Sequence, residues 1–355
     1  MTGKIISESS ATRRAMLEDA STRPGAGPRR LPAIDAAKGV SILLVVALHI
    51  GTYWHLNEFF KLLRMPLFFF AAGLFAFRSM ELPWKIFLRS KAGNTFYIFL
   101  VWVVFGWIAR HLPYNLNGAG IFFRFPALQD FVSPVGVLWF MFALGLLYIS
   151  ARVLRRFLSF GLLIAALAIA IGASFAFEPA SDNVYVKAVM ALPFFLFAIF
   201  YHSEVKAFIV RYSGFWPAAA LWYFLGCLLA LKLPTVGYIL LAPWVSAGGI
   251  LAVFLFFSNF PNSALTRICG YAGTALLMIY LLHGVVIYHL RKLLESMGVE
   301  RTNLVGLLLV PLIAVTCVLF GRYVLKPITP WLFEAPWLSR LRPAPGIASP
   351  AAKAV

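Results

Sequence analysis

Ten times between Lys38 and Leu325 the chain runs for close to twenty residues with hardly a charge, and that recurrence leaves few folds open. About 20 apolar residues form a helix of roughly 30 Å, which matches the hydrocarbon core of a bilayer. Lipid offers no partner to backbone N–H and C=O groups, so a run of this kind must pair them internally, as a helix does. The runs centre near 38–55, 63–78, 94–110, 135–151, 157–177, 185–201, 215–231, 236–257, 268–290 and 303–325. The sixth is the least regular, because Lys187 and Pro193 lie within it. The chain is therefore expected to be all-α, a polytopic membrane helix bundle of about ten transmembrane helices.

Composition agrees. Charged residues make up 12% of the 355, where soluble domains carry about 25%. Mean hydropathy is +0.85. The net charge of +18 raises the question of nucleic acid, but the cations fall in the short gaps between apolar runs. That is a topology signal, and no nucleic-acid partner is expected. With the N-terminus inside, 22 of the 31 Lys and Arg residues lie in cytoplasmic segments and 9 outside. Arg78, Lys85, Arg89 and Lys91, then Arg152, Arg155 and Arg156, dominate the early inside loops. Both termini are accordingly expected in the cytoplasm. The longest outside segment is 111–134, either an interfacial or re-entrant piece or a plain loop.

Residues 1–30 are polar and lack the early apolar core of a secretory signal, so they read as a disordered cytoplasmic tail. The membrane domain is drawn over 31–330 and a cytoplasmic C-terminal tail over 331–355, Pro- and Ala-rich from about Arg340. Cys227, Cys269 and Cys317 sit in apolar segments and read as packing residues. No metal site is expected, since the six His are dispersed without an acidic cluster.

The first run carries the sharpest chemistry. Residues 34–51 read IDAAKGVSILLVVALHIG, with Asp35 and Lys38 at one end and His49 deep among apolar neighbours. Eleven residues separate Lys38 from His49. That spacing turns a helix by roughly 1100°, about 20° past three turns, over a rise of about 16 Å. Both side chains thus share a face, and Asp35, one turn earlier, can pair with Lys38 or cap the helix start. A neutral imidazole is a poised proton acceptor, and ionisable groups at membrane depth usually face the bundle interior or a wet cavity. A plainer reading has His49 bonded to a neighbouring helix and Lys38 as an interfacial anchor. This helix alone leaves both open.

Other stretches bear on the choice. Residues 64–75 read RMPLFFFAAGLF, which places Arg64 on the adjacent helix at a depth comparable to that of His49. Residues 136–149 read GVLWFMFALGLLYI, and 275–288 read ALLMIYLLHGVVIY. In this order the features resemble the acyltransferase 3 family of bacterial membrane O-acyltransferases over roughly residues 31–330. Asp35, Lys38 and His49 fall at the family's acidic residue, cation and helix-borne His. Met65 to Phe70 match its MPLFFF-like helix, Trp139 and Phe140 its WF pair, and Tyr280 to His283 its YLLH-like segment. The match departs in places. Lys38 stands where many members have Arg, Arg64 where a His is frequent, and Ala72-Gly73 where a Ser-Gly pair is common.

The resemblance implies a multi-pass enzyme of the bacterial inner membrane. It would move an acyl group, expected to be acetyl, from cytoplasmic acyl-CoA to a hydroxyl of an exported or lipid-linked glycan. His49 is then the catalytic residue, as general base or transient acyl carrier, with Lys38 and Asp35 beside it in the sequence motif. Lys38, Arg89 and Lys91 are the candidates for donor phosphates, although Arg89 and Lys91 also serve topology. Arg64, Trp139 and His283 are the acceptor-side candidates. For Trp139 the plain alternative is packing, and for His283 it is tying helices together. No bound cofactor is implied, only acyl-CoA as co-substrate, with the glycan and the lipid bilayer as partners. Some members carry a fused extracytoplasmic transferase domain, and a hand-off of that kind would here need a separate protein. A transporter or flippase for a glycan or lipid also suits ten helices with embedded polar groups, and a scaffold suits them less. The deep His combined with a Lys/Asp pair, and no evident inverted repeat, favours the enzyme.

Overall fold

A computed structural model describes residues 31–51, 54–115, 127–134, 136–157, 159–177, 183–298 and 303–341. The N-terminal tail, residues 116–126 of the outside segment, and 342–355 lie outside the described residues. The described residues are helical, with no strand among them. The longer helices are α1 Pro32–Ile50, α2 Trp54–Ala76, α3 Gly93–Asn115, α4 Trp139–Leu154, α5 Phe160–Ala176 and α6 Val184–Phe200. They continue as α7 His202–Arg211, α8 Trp216–Ala230, α9 Thr235–Asn259, α10 Ala264–Thr274, α11 Leu276–Ser296 and α12 Asn303–Leu319.

All ten predicted runs fall on these helices, but they differ in their ability to span. Seven segments are each long and apolar enough to cross: Pro32–Ile50, Asn57–Glu81, Trp84–Ala109, Ser213–Ala230, Thr235–Asn259, Leu276–Ser296 and Val305–Ile328. An eighth arises if α6 and α7, bent by 80° at Tyr201, count as one broken span. Helix α5 is apolar but has 17 residues, and α4 has 16. The ninth run is not one helix. It breaks at Ala275, where α10 ends and α11 begins.

Helix α1 is the hub, packed on α2, α9, α10, α11 and α12. Its closest neighbour is α10, and glycine explains the approach. A Cβ at Gly39 would collide with the Cys269 carbonyl, and one at Gly273 with the Asp35 carbonyl. A glycine on each helix lets the two backbones meet in this way, which is how membrane helices gain packing contact without a hydrophobic drive. The close crossing fixes the Asp35–Lys38 end of α1. Gly73 plays the same part between α2 and α6, where an added Cβ would lie 2.7 Å from the Phe195 carbonyl.

The outer faces are apolar as lipid requires. Phe160 (68% exposed) and Leu308 (66% exposed) would be aggregation sites in water but are ordinary on a bilayer-facing helix. The domain boundary at 330 falls short of the packed region. Residues 331–341 form tight helical turns against α3 rather than a tail. Trp102 Nε1 donates to the Leu332 carbonyl at 2.6 Å, and the Ala335 N–H donates to Asn94 Oδ1 at 2.8 Å. Leu332, Phe333 and Ala335 are buried there, so this segment is anchored by side chains too few in number to register as a span.

Candidate active site

His49 sits in the last turn of α1, and two features hold that turn. The helix exits through Gly51, whose φ of 87° lies in the left-handed region that glycine enters without strain. From α11, Arg291 Nη2 donates to the carbonyl of His49 itself. A cation at a helix C-terminus meets both an orphan carbonyl and the negative end of the dipole. The backbone under the imidazole is thereby tied to a second helix.

The ring is fixed as well. His49 Nδ1 lies 2.9 Å from the Val45 carbonyl. A carbonyl can only accept, so Nδ1 carries the hydrogen, and in the neutral ring Nε2 keeps its lone pair. That is the tautomer a general base or nucleophile requires. His283, fully buried on α11, packs edge-on against this ring with centroids 5.1 Å apart. Its own Nδ1 donates to the carbonyls of Ile279 (3.0 Å) and Tyr280 (2.7 Å), and its Nε2 has no hydrogen-bond partner among the described residues. One turn earlier the Tyr280 hydroxyl donates to the Val137 carbonyl at 2.6 Å, tying α11 to the start of α4.

His49 lines a cavity of about 560 Å³ between α1, α2, α4, α5, α6, α9 and α11. Arg64 and Trp139 line it too, so two of the predicted acceptor-side residues meet the predicted catalytic one. Arg64 is buried. Its Nη1 donates to Asn57 Oδ1 at 2.9 Å. Its Nε is buried without a partner. Ser41 Oγ donates to the Arg64 carbonyl at 2.9 Å, which seats α2 against α1 at this point. Trp139 presents its ring to Lys187, whose Nζ is 4.9 Å from the ring centroid. His283 does not line the cavity. Its ring is set edge-on against the His49 ring instead.

The Lys38 end is a separate neighbourhood. Lys38 Nζ is 2.6 Å from Asp35 Oδ1 and 4.1 Å from the centroid of the Phe75 ring at the far end of α2. Neither residue lines the cavity. Arg89 and Lys91 belong to the π-helical turn Leu88–Ala92 ahead of α3. The carbonyl of Arg89 accepts from Trp337 Nε1 at 3.1 Å, and its side chain is exposed.

Three cations were missed or misread in the sequence: Lys61 and Lys187, which line the cavity, and Arg291, which holds the His49 carbonyl. Lys187 looked like a flaw in the sixth span, yet an intramembrane cation is by default a functional signal. Lys61 was counted only for topology. Arg291 was treated likewise, although it stands eleven residues after Tyr280, the spacing that also aligns Lys38 with His49.

A family model described as an acyltransferase domain matches residues 31–323. No curated protein and no solved structure matches the chain.

Proposed function

Because the chain belongs to the acyltransferase 3 family and is a multi-pass membrane acyltransferase, we propose that it moves a small acyl group, acetyl first, from acyl-CoA to a glycan hydroxyl. The observation that carries the reading is His49. It lines the cavity with Nδ1 committed to Val45 and Nε2 left with its lone pair.

In the step so proposed, the acceptor hydroxyl oxygen attacks the thioester carbonyl carbon while His49 Nε2 takes its proton. The tetrahedral intermediate collapses, the C–S bond breaks, and the proton passes from Nε2 to the leaving thiolate. The products are an ester and free CoA thiol, and His49 ends neutral. In the stepwise variant His49 Nε2 attacks the thioester carbonyl, the C–S bond breaks to release CoA thiolate, and the hydroxyl then takes the acyl group from the ring as its proton passes to the thiolate. Arg64, which lines the same cavity, would stabilise the developing oxyanion. Lys38 would hold donor phosphates at the other end of α1, with the pantetheine arm spanning the roughly 16 Å between.

This scheme puts the Lys38 end in the cytoplasm of a bacterial inner membrane, as the Lys/Arg bias favours. A cysteine placed within 111–134 should then react with an impermeant thiol reagent in intact cells, while one within 1–30 should not. The reverse pattern would invert the orientation. For the reaction itself, surface glycan from cells with and without the gene should differ by the mass of an acyl ester that mild base releases. Identical glycans, with the protein present in the membrane, would refute the acceptor class. A transporter would use the same cavity, but it has no need of a base with a fixed tautomer.

A further inference from the structure

The cavity is not isolated. A second depression of about 800 Å³ lies against it between α5, α6, α7 and α9, and Leu167, Pro193, Phe194 and Pro243 line both. The two regions meet at a common wall but differ in chemistry. Among the described residues the cavity is lined by three cations, Lys61, Arg64 and Lys187, and by no Asp or Glu. Lys61 has an acidic neighbour, Glu58 at 3.6 Å, which is not part of the lining. Arg64, 8% exposed, keeps an unpartnered Nε. Of the three, Arg64 alone is buried, and a guanidinium at membrane depth with an idle donor is suited to a phosphate or carboxylate oxygen.

The groove is the opposite. Its walls are Phe70, Phe197, Phe254, Trp244 and similar side chains, with Glu204 as the one charged residue among those described. Along α9 it reaches from Pro243 to Phe254, a rise of about 16 Å, close to half of a hydrocarbon core of roughly 30 Å. Its volume is within the range of small-ligand sites, about 300–1,000 Å³. The pantetheine arm of the donor carries two amides, and burying each unpaired costs about 1–3 kcal/mol. Glu204 would also repel the donor's phosphates. A hydrocarbon chain meets neither penalty. Pro193 and Pro243 on the common wall each remove a backbone N–H from mid-helix, which opens space and frees a carbonyl near the junction.

We propose that the acceptor is an anionic amphiphile, with its acidic, hydroxyl-bearing head in the cationic cavity at His49 and one hydrocarbon chain in the groove. The placement of a reacting hydroxyl rests on the acyltransferase reading above, whereas binding of the amphiphile does not.

The test uses full-length protein in phosphatidylcholine nanodiscs and three probes: hexadecyl phosphate, hexadecyltrimethylammonium and inorganic phosphate. Hexadecyl phosphate should bind roughly tenfold or more tighter than either of the others, since a charge-assisted contact and a buried chain each contribute that much. Ala247→Trp on α9 and Val205→Trp on α7 fill the groove from different helices. Each should weaken hexadecyl phosphate roughly tenfold and leave inorganic phosphate unchanged. Lys187→Gln should weaken both phosphates. Hexadecyl phosphate binding unmoved by both Trp substitutions would mean that bilayer lipid merely coats the groove, and the proposal falls. Equal affinity for the cationic chain would overturn it as well. If hexadecyl phosphate fails to bind while acyl transfer to a soluble glycan proceeds, the amphiphile is wrong and the enzyme stands. Binding as expected with no acyl transfer would remove the enzyme reading alone.

Discussion

Replacing His49 with Gln should lower acyl transfer by roughly 10²–10⁴ at unchanged protein level, the usual loss when a general acid–base group is removed. The structure makes this substitution informative because the supports of the site survive it. Arg291 binds the backbone carbonyl of residue 49, not its side chain, and Gly51 still provides the helix exit. A Gln amide retains hydrogen-bonding capacity and comparable bulk, so contact with the His283 ring is roughly kept. What it loses is a basic nitrogen. A side chain that only packed α1 against α11 would show the contrary signature, with less folded protein but near-normal turnover per molecule. Acyl transfer by His49→Gln at close to the parent rate would remove His49 from the chemistry and with it the proposed mechanism. Measurement of initial rates with labelled acetyl-CoA, normalised to purified protein, separates the two outcomes.

Much of the bundle was legible because the bilayer imposes a length and a hydropathy on each helix that few other constraints override. The stretches that went astray are those where another rule governed. The ninth run was read as one helix because Tyr271 to Ala275 is apolar enough to continue. It divides because α10 must cross α1 at the distance that Gly39 and Gly273 permit, and backbone proximity leaves no mark in a hydropathy average. Residues 331–341 fell below any spanning length and were assigned to a tail, yet Trp102 and Asn94 of α3 hold them.

The candidate site divides in the same way. Helical spacing and the family resemblance found His49, Arg64 and Trp139, because each is a polar or amphipathic group inside an apolar run. Lys187 was equally visible but was weighed as evidence against a helix rather than for a cavity. The relation of His283 to His49 required knowing that α11 packs on α1, a tertiary fact.

The Asp35–Lys38 pair gives the second large effect, and the geometry permits a stricter test than a single deletion. Lys38 has a partner on each side, Asp35 Oδ1 at 2.6 Å and the Phe75 ring at 4.1 Å, with side chains only 19% and 13% exposed for Lys38 and Asp35. Lys38→Arg keeps the charge, the ion pair and the stacking on Phe75, so the change in rate should be small. Lys38→Glu sets two carboxylates one turn apart in a partly buried setting and should be severe. Lys38→Ala is ambiguous alone, because it removes any donor contact and also strands Asp35. A phosphate contact of about 1.5–3 kcal/mol would raise KM for acyl-CoA by roughly 10- to 100-fold, with little change in KM for the acceptor. Adding Asp35→Asn to Lys38→Ala resolves the two contributions, since it removes the stranded charge and should restore the amount of folded protein. If Lys38 meets the donor, the double variant folds normally yet keeps the raised KM for acyl-CoA. If the double variant recovers donor affinity along with stability, Lys38 does no more than neutralise Asp35, and the donor phosphates must be sought elsewhere on that end of the bundle.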